Sequence, residues 1–448
     1  MKWNENGIFY HIYPLGCFGS EDYNNNSEGY NSRILNLNEW IPYLKELGIN
    51  AIYLGPLFES TSHGYDTRDF FWVDRRLGCN EDLKDVINSC HNNGIKVVLD
   101  GVFNHTGREF WAFKDILQNR QSSQYVGWYN INFNNNNGYN DGFSYDGWNG
   151  HYNLVKLNLK NPAVINHIFD AVKMWIDYFD IDGIRLDAAD SLDFDFIKNL
   201  KGVCYAKKND FWLMAEVIHG DYNRWMGRGT MADSVTNYEC YKGLWSAHND
   251  KNYFEIGYGF NRQFGSGGMY RELLYNFVDN HDVNRVASVL KKEEYLYLTY
   301  SLLFTMNGNP SIYYGSEIGI KGEKTNNNDK PLRPYIDIAT LRNNAISSPL
   351  FNYIKKLINI RYNSNALKLG GYRQLHLSLE QFSFLREHNG ERVVVALNQS
   401  DKDVKIDLNL NGSKMIDVLN NNEEFEIYNN KISLPIYPNC TRILMVKE

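Results

Sequence analysis

The chain has 448 residues, 43% of them apolar and 22% charged, with 24 Phe, 32 Tyr and 10 Trp. That length allows about two to four domains around a large buried core, and the composition excludes disorder, collagen-like repeats and coiled coil. A balance of 46 Lys and Arg against 53 Asp and Glu gives a formal charge of −7, which argues against nucleic acid or an anionic membrane as main partner; the aromatic surplus suits flat, neutral, polyhydroxylated ligands that stack on rings.

The first residues, MKWNENGIFYHIYP, contain no apolar stretch of the secretory-signal type. No run reaches the ~18 apolar residues of a spanning helix; residues 295–306 come nearest and are interrupted by Thr and Ser. A cytoplasmic location is expected. Cys17, Cys79, Cys90, Cys204, Cys240 and Cys440 show none of the short spacings of a zinc site or redox pair, so they read as reduced structural thiols.

Along the chain, β-branched and aromatic runs at residues 8–13, 51–55, 96–102, 183–187, 212–217, 234–238, 275–279 and 311–314 read as strands. Between them, residues 37–47, 81–93, 163–179 and 293–306 carry apolar side chains at three- and four-residue spacing and read as helices. Asn80 and Asn161-Pro162 are helix starts, and Gly48 and Gly94 are stops. Eight strands alternating with helices predict a (β/α)8 barrel, an α/β fold whose active site lies where the strands hand over to their loops.

Residues 106–160 are too long for an ordinary loop and read as an inserted subdomain after the third strand. Beyond about residue 366 the helical pattern stops, and runs at 382–386, 392–398, 404–408 and 441–446 with the turn signals Asn389-Gly390 and Asn411-Gly412 read as an antiparallel β domain. The expected division is a barrel from 1–105 and 161–365, an insertion at 106–160 and a β domain at 366–448. Asn-rich patches at 24–26, 134–137 and 326–328 read as loop tips without chemistry.

Polar residues concentrate at four strand ends: DGVFNH (100–105), GIRLDAAD (183–190), MAEVIHG (214–220) and FVDNHD (277–282). Residues two apart on a strand share a face, so Arg185 and Asp187 should project together, the guanidinium holding Asp187 ionised. Glu216, facing that charge in a partly desolvated place, should keep its proton. One ionised and one protonated carboxyl is the arrangement of a retaining glycosidase. Taken singly, Arg-x-Asp is more often a structural ion pair, Glu216 reads equally as a satisfied buried acid, and His105 and His281 are more often packing or loop histidines; it is their recurrence at four strand ends that points to a site.

These four segments resemble the signature regions of the α-amylase family of glycoside hydrolases over essentially the whole chain. The resemblance implies a catalytic barrel, an inserted domain and a C-terminal β-sandwich. It makes Asp187 the nucleophile, Glu216 the general acid/base and Asp282 the carboxylate that grips the sugar as its ring distorts. Arg185 would orient the nucleophile, and His105 and His281 would bind hydroxyls at the cleavage point. In HGYDTRDF (63–70) Tyr65 would stack under that sugar, Asp100 would hold Arg185, and Asp329 and Arg333 would contact non-reducing-side sugars or form a structural ion pair. Asn104 matches a calcium position, so structural calcium is a candidate, and no cofactor is expected for the chemistry.

The stretch YDGWNGHYNLVKLN (145–158) is similar to one ending in Met-Pro-Lys-Leu-Asn in neopullulanases, cyclomaltodextrinases and maltogenic amylases, with Leu154-Val155 in place of Met-Pro. That group usually carries an N-terminal β domain, whereas this chain starts about where the barrel starts. Asp190-Ser191 stand where many α-amylases have Lys-His, and Ala215 and Ile218 where Gly and Trp are frequent. The expected function is hydrolysis of α-1,4 links in maltooligosaccharides, starch fragments, cyclodextrin or pullulan, by a monomer or homodimer. Transglycosylation, α-1,6 specificity, and a catalytically silent glycan-binding barrel are the alternatives.

Overall fold

The computed structural model describes residues 2–25, 29–266, 268–269, 274–325 and 328–448. Strands β1 (Phe9–Ile12), β2 (Ala51–Leu54), β3 (Lys96–Gly101), β4 (Gly183–Leu186), β5 (Trp212–Ala215), β6 (Ser234–Val235), β7 (Tyr275–Phe277) and β8 (Asn309–Tyr313) pair in parallel, in the order β6-β5-β4-β3-β2-β1-β8-β7. A parallel bridge from Thr236 to Tyr275 joins the two edges and closes the barrel. All eight predicted strands are present. Each stops one to three residues short of its predicted end, where the chain turns into the following loop, and β8 begins two residues before Ser311, with Pro310 opposite Asn276.

Inside the barrel Phe9, Ala51, Tyr53, Val98, Trp212, Met214, Tyr275 and Phe277 pack into one apolar layer. Phe9 stacks on Trp212 with ring centroids 4.9 Å apart. Gly183, opposite Trp212 in the β4–β5 pair, lets the two strands approach closely there: a Cβ would lie 2.5 Å from the Trp212 carbonyl oxygen. The layer forms a dry floor beneath the strand ends.

The predicted helices occur at Leu37–Leu47, Asn80–Asn92, Pro162–Phe179 and Glu294–Thr305. Asn161 caps as expected, its side chain accepting the Ala163 N–H at 2.9 Å, and Gly48 ends its helix at φ +96°. Asn80 differs. It is the first helical residue rather than the cap, and its side-chain oxygen accepts the Val73 N–H at 2.9 Å, bracing the loop after β2.

The insertion after β3 holds the helix Trp111–Asn119 and short antiparallel strands, of which His105–Gly107 pairs with His151–Lys156 and draws the insertion onto the barrel mouth. A short helix, Asn365–Leu369, extends past the point where the helical pattern was expected to stop. The chain then forms β9 (Gly371–Leu377), β10 (Gln381–His388), β11 (Glu391–Asn398), β12 (Val404–Asn409), β13 (Lys414–Asp417), β14 (Glu423–Glu426), β15 (Lys431–Ile436) and β16 (Cys440–Lys447). One sheet runs β9-β10-β11-β16-β13-β14 and the other pairs β12 with β15. Asn389 and Gly390, both at positive φ, form the tight turn between β10 and β11. Asn411-Gly412, by contrast, carries the chain from one sheet to the other rather than closing a hairpin. Alternation divides the large sheet between two cores: Leu385, Val394 and Leu444 meet the small sheet, while Phe382, Phe384, Val393 and Val395 join the barrel's core.

None of the six cysteines is disulfide-bonded, and Cys17, Cys90, Cys204 and Cys240 are buried. Among the described residues no helix is long and apolar enough to cross a membrane. Asn26, Asn326 and Asn327 of the Asn-rich patches lie outside the described residues.

The last carbonyls of helix Glu294–Thr305 are buried and need donors. Arg361 supplies them to Phe304 and Met306 at 2.9 and 3.2 Å, and Arg386 of β10 to Thr305 and Gly370 at 2.5 and 2.8 Å. The cap fixes the entry to β8 and ties the β domain to the barrel. Replacing Arg386 with Leu strands the buried Thr305 carbonyl, Gly370 keeping a donor in Asn307 Nδ2 at 3.0 Å, and a loss of about 1–3 kcal/mol is expected; an unchanged urea midpoint, followed by tryptophan fluorescence, would refute this role.

Candidate active site

β4 lies between β3 and β5, with Arg185 opposite Asp100 on one side and Met214 on the other. The ladder continues one residue past each strand: the Asp187 N–H donates to Gly101 O at 3.1 Å and the Glu216 N–H to Leu186 O at 3.0 Å. Arg185, Asp187 and Glu216 therefore reach the same end of the barrel. Arg185 Nη1 donates to both oxygens of Asp100, at 2.8 and 2.9 Å, and to Asp187 Oδ1 at 2.9 Å, while Nη2 meets Glu216 Oε1 at 2.5 Å. Tyr53 and Tyr65 add hydroxyl donors to Asp100 at 2.8 and 3.2 Å. Asp100 thus anchors Arg185 from behind, as expected.

Ala188, directly after Asp187, sits in the left-handed region at φ +45°, which is uncommon for a residue with a Cβ. Its N–H consequently points at Glu216 Oε2, at 2.9 Å. Glu216 is held by Arg185 on one oxygen and by this amide on the other.

The facing wall comes from the loops after β7 and β8. Asn280 accepts the Asp282 N–H at 2.8 Å, His281 Nε2 lies 2.9 Å from Asp282 Oδ2, and Arg333 Nη2 donates to Asp282 Oδ1 at 3.0 Å. Arg333 also donates to the His281 carbonyl at 3.0 Å and pairs with Asp329 at 3.3 Å; Lys324 reaches the other Asp329 oxygen at 2.9 Å. The Tyr65 hydroxyl contacts His281 Nε2, and the two rings lie nearly parallel, 5.6 Å apart.

Burial pushes both Asp187 and Glu216 above the ordinary carboxylate range, and Arg185 pulls against it. For Glu216 this agrees with the expected retained proton. Asp187 departs from expectation: Arg185 does not by itself keep it ionised, because the one guanidinium is shared with Asp100 and Glu216, and the charges of Glu216 and Asp100 add to burial in favouring the proton. An ionised Glu216 thus opposes ionisation of Asp187, so the two titrate as a pair. Burial also works against ionised Asp282, but His281 and Arg333 outweigh it and hold that carboxyl well below its usual range. Burial lowers His105 to about 4, so its imidazole is neutral near pH 7.

A cleft of about 800 Å3 opens over these groups. Of the predicted site residues, Tyr65, His105, Asp187, Glu216, Asp282, Asp329 and Arg333 line it, whereas Arg185 and His281 are buried behind it. Asp190, Ser191 and Ile218 line it too, at the places singled out by their departure from the family pattern. Sequence reasoning had not assigned Trp148, Tyr238 or Lys324 to the cleft. Trp148, its ring 5.7 Å from that of His105, lay within the stretch 145–158, and Tyr238 was signalled only by closing a predicted strand. Lys324 carried no signal.

Asn104 does not fit a calcium site. Its amide Nδ2 faces His105 Nδ1 at 3.2 Å, and its Oδ1 is buried without a partner. One amide oxygen is far short of the six to eight or so oxygens calcium takes. Among the described residues no group of three or more His, Cys, Asp or Glu side chains is placed to hold a metal ion.

Comparison with known proteins bears on this geometry. Residues 26–336 match the alpha amylase catalytic domain and residues 372–438 the maltogenic amylase C-terminal domain. A cyclomaltodextrinase of Thermoanaerobacter pseudethanolicus is 32% identical over 435 residues, covering 91% of this chain and 72% of the relative. An intracellular maltogenic amylase of Bacillus subtilis is 28% identical over 403 residues, covering 86% and 66%. Among solved structures, a cyclomaltodextrinase superimposes with a TM-score of 0.87 at 26% identity, over 99% of this chain and 78% of that one. The catalytic-domain match spans well over half of the sequence, and the chain belongs to the α-amylase family of glycoside hydrolases.

Proposed function

We propose that this enzyme is a retaining hydrolase of α-1,4-glucosidic bonds in maltooligosaccharides and related α-glucans, including starch fragments, cyclodextrin and pullulan. The observation that carries the reading is the single guanidinium of Arg185 bound to both Asp187 and Glu216, with ionised Asp282 across the cleft. Glu216 protonates the glycosidic oxygen while Asp187 attacks the anomeric carbon. The covalent glycosyl-enzyme forms through an oxocarbenium-like transition state, and Glu216, now a carboxylate, draws the proton from the incoming water. As the proton leaves through Glu216 and Asp187 becomes the glycosyl ester, the negative charge of the pair passes from Asp187 to Glu216, and Arg185 touches both.

Asp282, neutralised on one side by Arg333, accepts hydroxyl hydrogens of the distorted sugar. Tyr65 offers its ring to the face of that sugar, and His105 presents a neutral imidazole whose Nε2 has no protein partner. Arg185 and His281 act from behind as positioning groups. Asp329, held by Lys324 and Arg333, meets the sugars on the non-reducing side. The barrel segments 1–105 and 161–365 carry this chemistry, and the insertion 106–160 closes one side of the cleft. The cyclomaltodextrinase and maltogenic amylase relatives support short oligosaccharides as substrates, and the relative named intracellular supports a cytoplasmic location.

Asp187→Asn and Glu216→Gln are each expected to lower turnover of maltohexaose by about 10³-fold or more, while the parent releases α-anomeric products. Product configuration by NMR checks this, and β-anomeric products or an active Asp187→Asn enzyme would overturn it. The active form holds one proton on the pair, so kcat/KM should be bell-shaped in pH. It is lost at low pH as the second proton binds and at high pH as the shared proton leaves; because burial raises both groups, the alkaline limb should lie above the ordinary carboxylate pKa of about 4.3. A limb below that value would refute the shared proton. Chelation with EDTA should leave both activity and thermal midpoint unchanged, whereas a drop in either would reveal a metal that Asn104 and its neighbours do not explain.

A further inference from the structure

A second recess, of about 940 Å3, opens beside the insertion and shares no lining residue with the catalytic cleft. Two segments contribute to both. The loop between β2 and helix Asn80–Asn92 turns His63 and Tyr65 into the cleft, but Asp69 and Trp72 into the recess. The insertion likewise sends Trp148 to the cleft and Trp111 to the recess.

Three aromatic side chains in this recess stay in water: Trp72 is 61% exposed, Tyr30 60% and Trp111 36%. Clustered exposed aromatics in a concavity mark a binding surface rather than scattered surface apolarity. Trp111 is also held in one orientation, by edge contacts to Tyr125, Trp128 and His167 at ring-centroid distances of 4.9, 5.2 and 5.4 Å. A fixed ring offers a stacking face with little ordering left to do on binding. Around the rings, carboxylates such as Asp69 and Asp115 alternate with Arg68, Arg75 and the ion-paired Lys114, which meets Glu109 at 3.1 Å. Five carboxylates, Glu59, Asp69, Glu81, Glu109 and Asp115, stand with three cations, a balance that disfavours an anionic ligand and supplies both acceptors and donors for hydroxyl groups. Flat apolar faces with a rim of hydroxyl-bonding groups suit a neutral sugar chain.

We propose that this recess is a second, non-catalytic glycan-binding site in which Trp72, Tyr30 and Trp111 stack on pyranose rings. The choice of an α-glucan as the ligand rests on the proposed function; the existence of the site does not. A polymer held here would lie against the loop and the insertion that also wall the cleft, which raises the local concentration of its chain near Glu216.

The test uses the full chain carrying Glu216→Gln, so that polymer is not digested, in native gels with and without amylopectin, together with calorimetric titration of maltoheptaose. Adding Trp72→Ala or Tyr30→Ala should weaken retardation by amylopectin about fivefold each. In the otherwise unaltered enzyme the same two substitutions should leave maltotriose turnover within twofold and the thermal midpoint unchanged. Retardation that is absent in the parent, or that both variants retain in full, would overturn the site. If the parent hydrolyses no α-glucan yet its retardation depends on Trp72, the hydrolytic reading fails and the recess stands. Hydrolysis with Trp72-independent retardation has the opposite meaning.

Discussion

One buried guanidinium organises the mouth of this barrel. Arg185 satisfies Asp100, Asp187 and Glu216 at once, and it can do so only because β3, β4 and β5 are adjacent and in a register that sets Asp100 beside Arg185. A single positive charge among three carboxylates cannot neutralise them all in a low-dielectric setting, so the pair nearest the cleft retains a proton. The same arrangement that stabilises the strand ends therefore stores the proton an acid catalyst needs. Asp282 has its own cation in Arg333 and a close imidazole in His281, which is why its carboxyl lies well below the usual range while those of Asp187 and Glu216 are raised. The two walls of the cleft are electrostatically unlike for that reason.

Backbone geometry serves this arrangement directly. Gly183 lets β4 approach Trp212 closely, and Ala188 takes a left-handed conformation that turns its amide onto Glu216. The second is a small local strain placed where it orients an acid. Farther away, Arg361 and Arg386 terminate the helix that leads into β8, so the β domain helps to hold the strand that places Arg333. The insertion and the loop after β2 have two faces each, one toward the cleft and one toward the outer recess, so a shift in either segment is felt on both sides.

Much of the barrel was legible in the sequence because parallel strands buried on both faces leave short, strongly apolar β-branched runs, and their polar terminators stand out against them. The four polar segments named Asp187, Glu216 and Asp282 without any structure. Strands β9, β13, β14 and β15 were not read: β14 is Glu-Glu-Phe-Glu and mostly exposed, so it shows no apolar alternation, and β15 alternates but contains Pro435, which argues against a strand. Asn80 misled for a related reason. Its residue type suits a cap, but its side chain finds a better use in bracing Val73.

By itself the sequence determined which residues carry charge at strand ends, the number of barrel strands and the place of the insertion, since these follow from local composition and periodicity. Tertiary structure alone decided how charge is shared. Whether Asp187 is ionised depends on how many carboxylates claim Arg185, a count of neighbours brought together from β3, β4 and β5. Whether His281 faces sugar or stands behind Tyr65, and whether Trp72 and Trp111 share a recess, likewise depend on contacts between segments far apart in the chain. Residue type sets what a group can do, and burial and neighbours, which no linear pattern records, set its protonation and its reach.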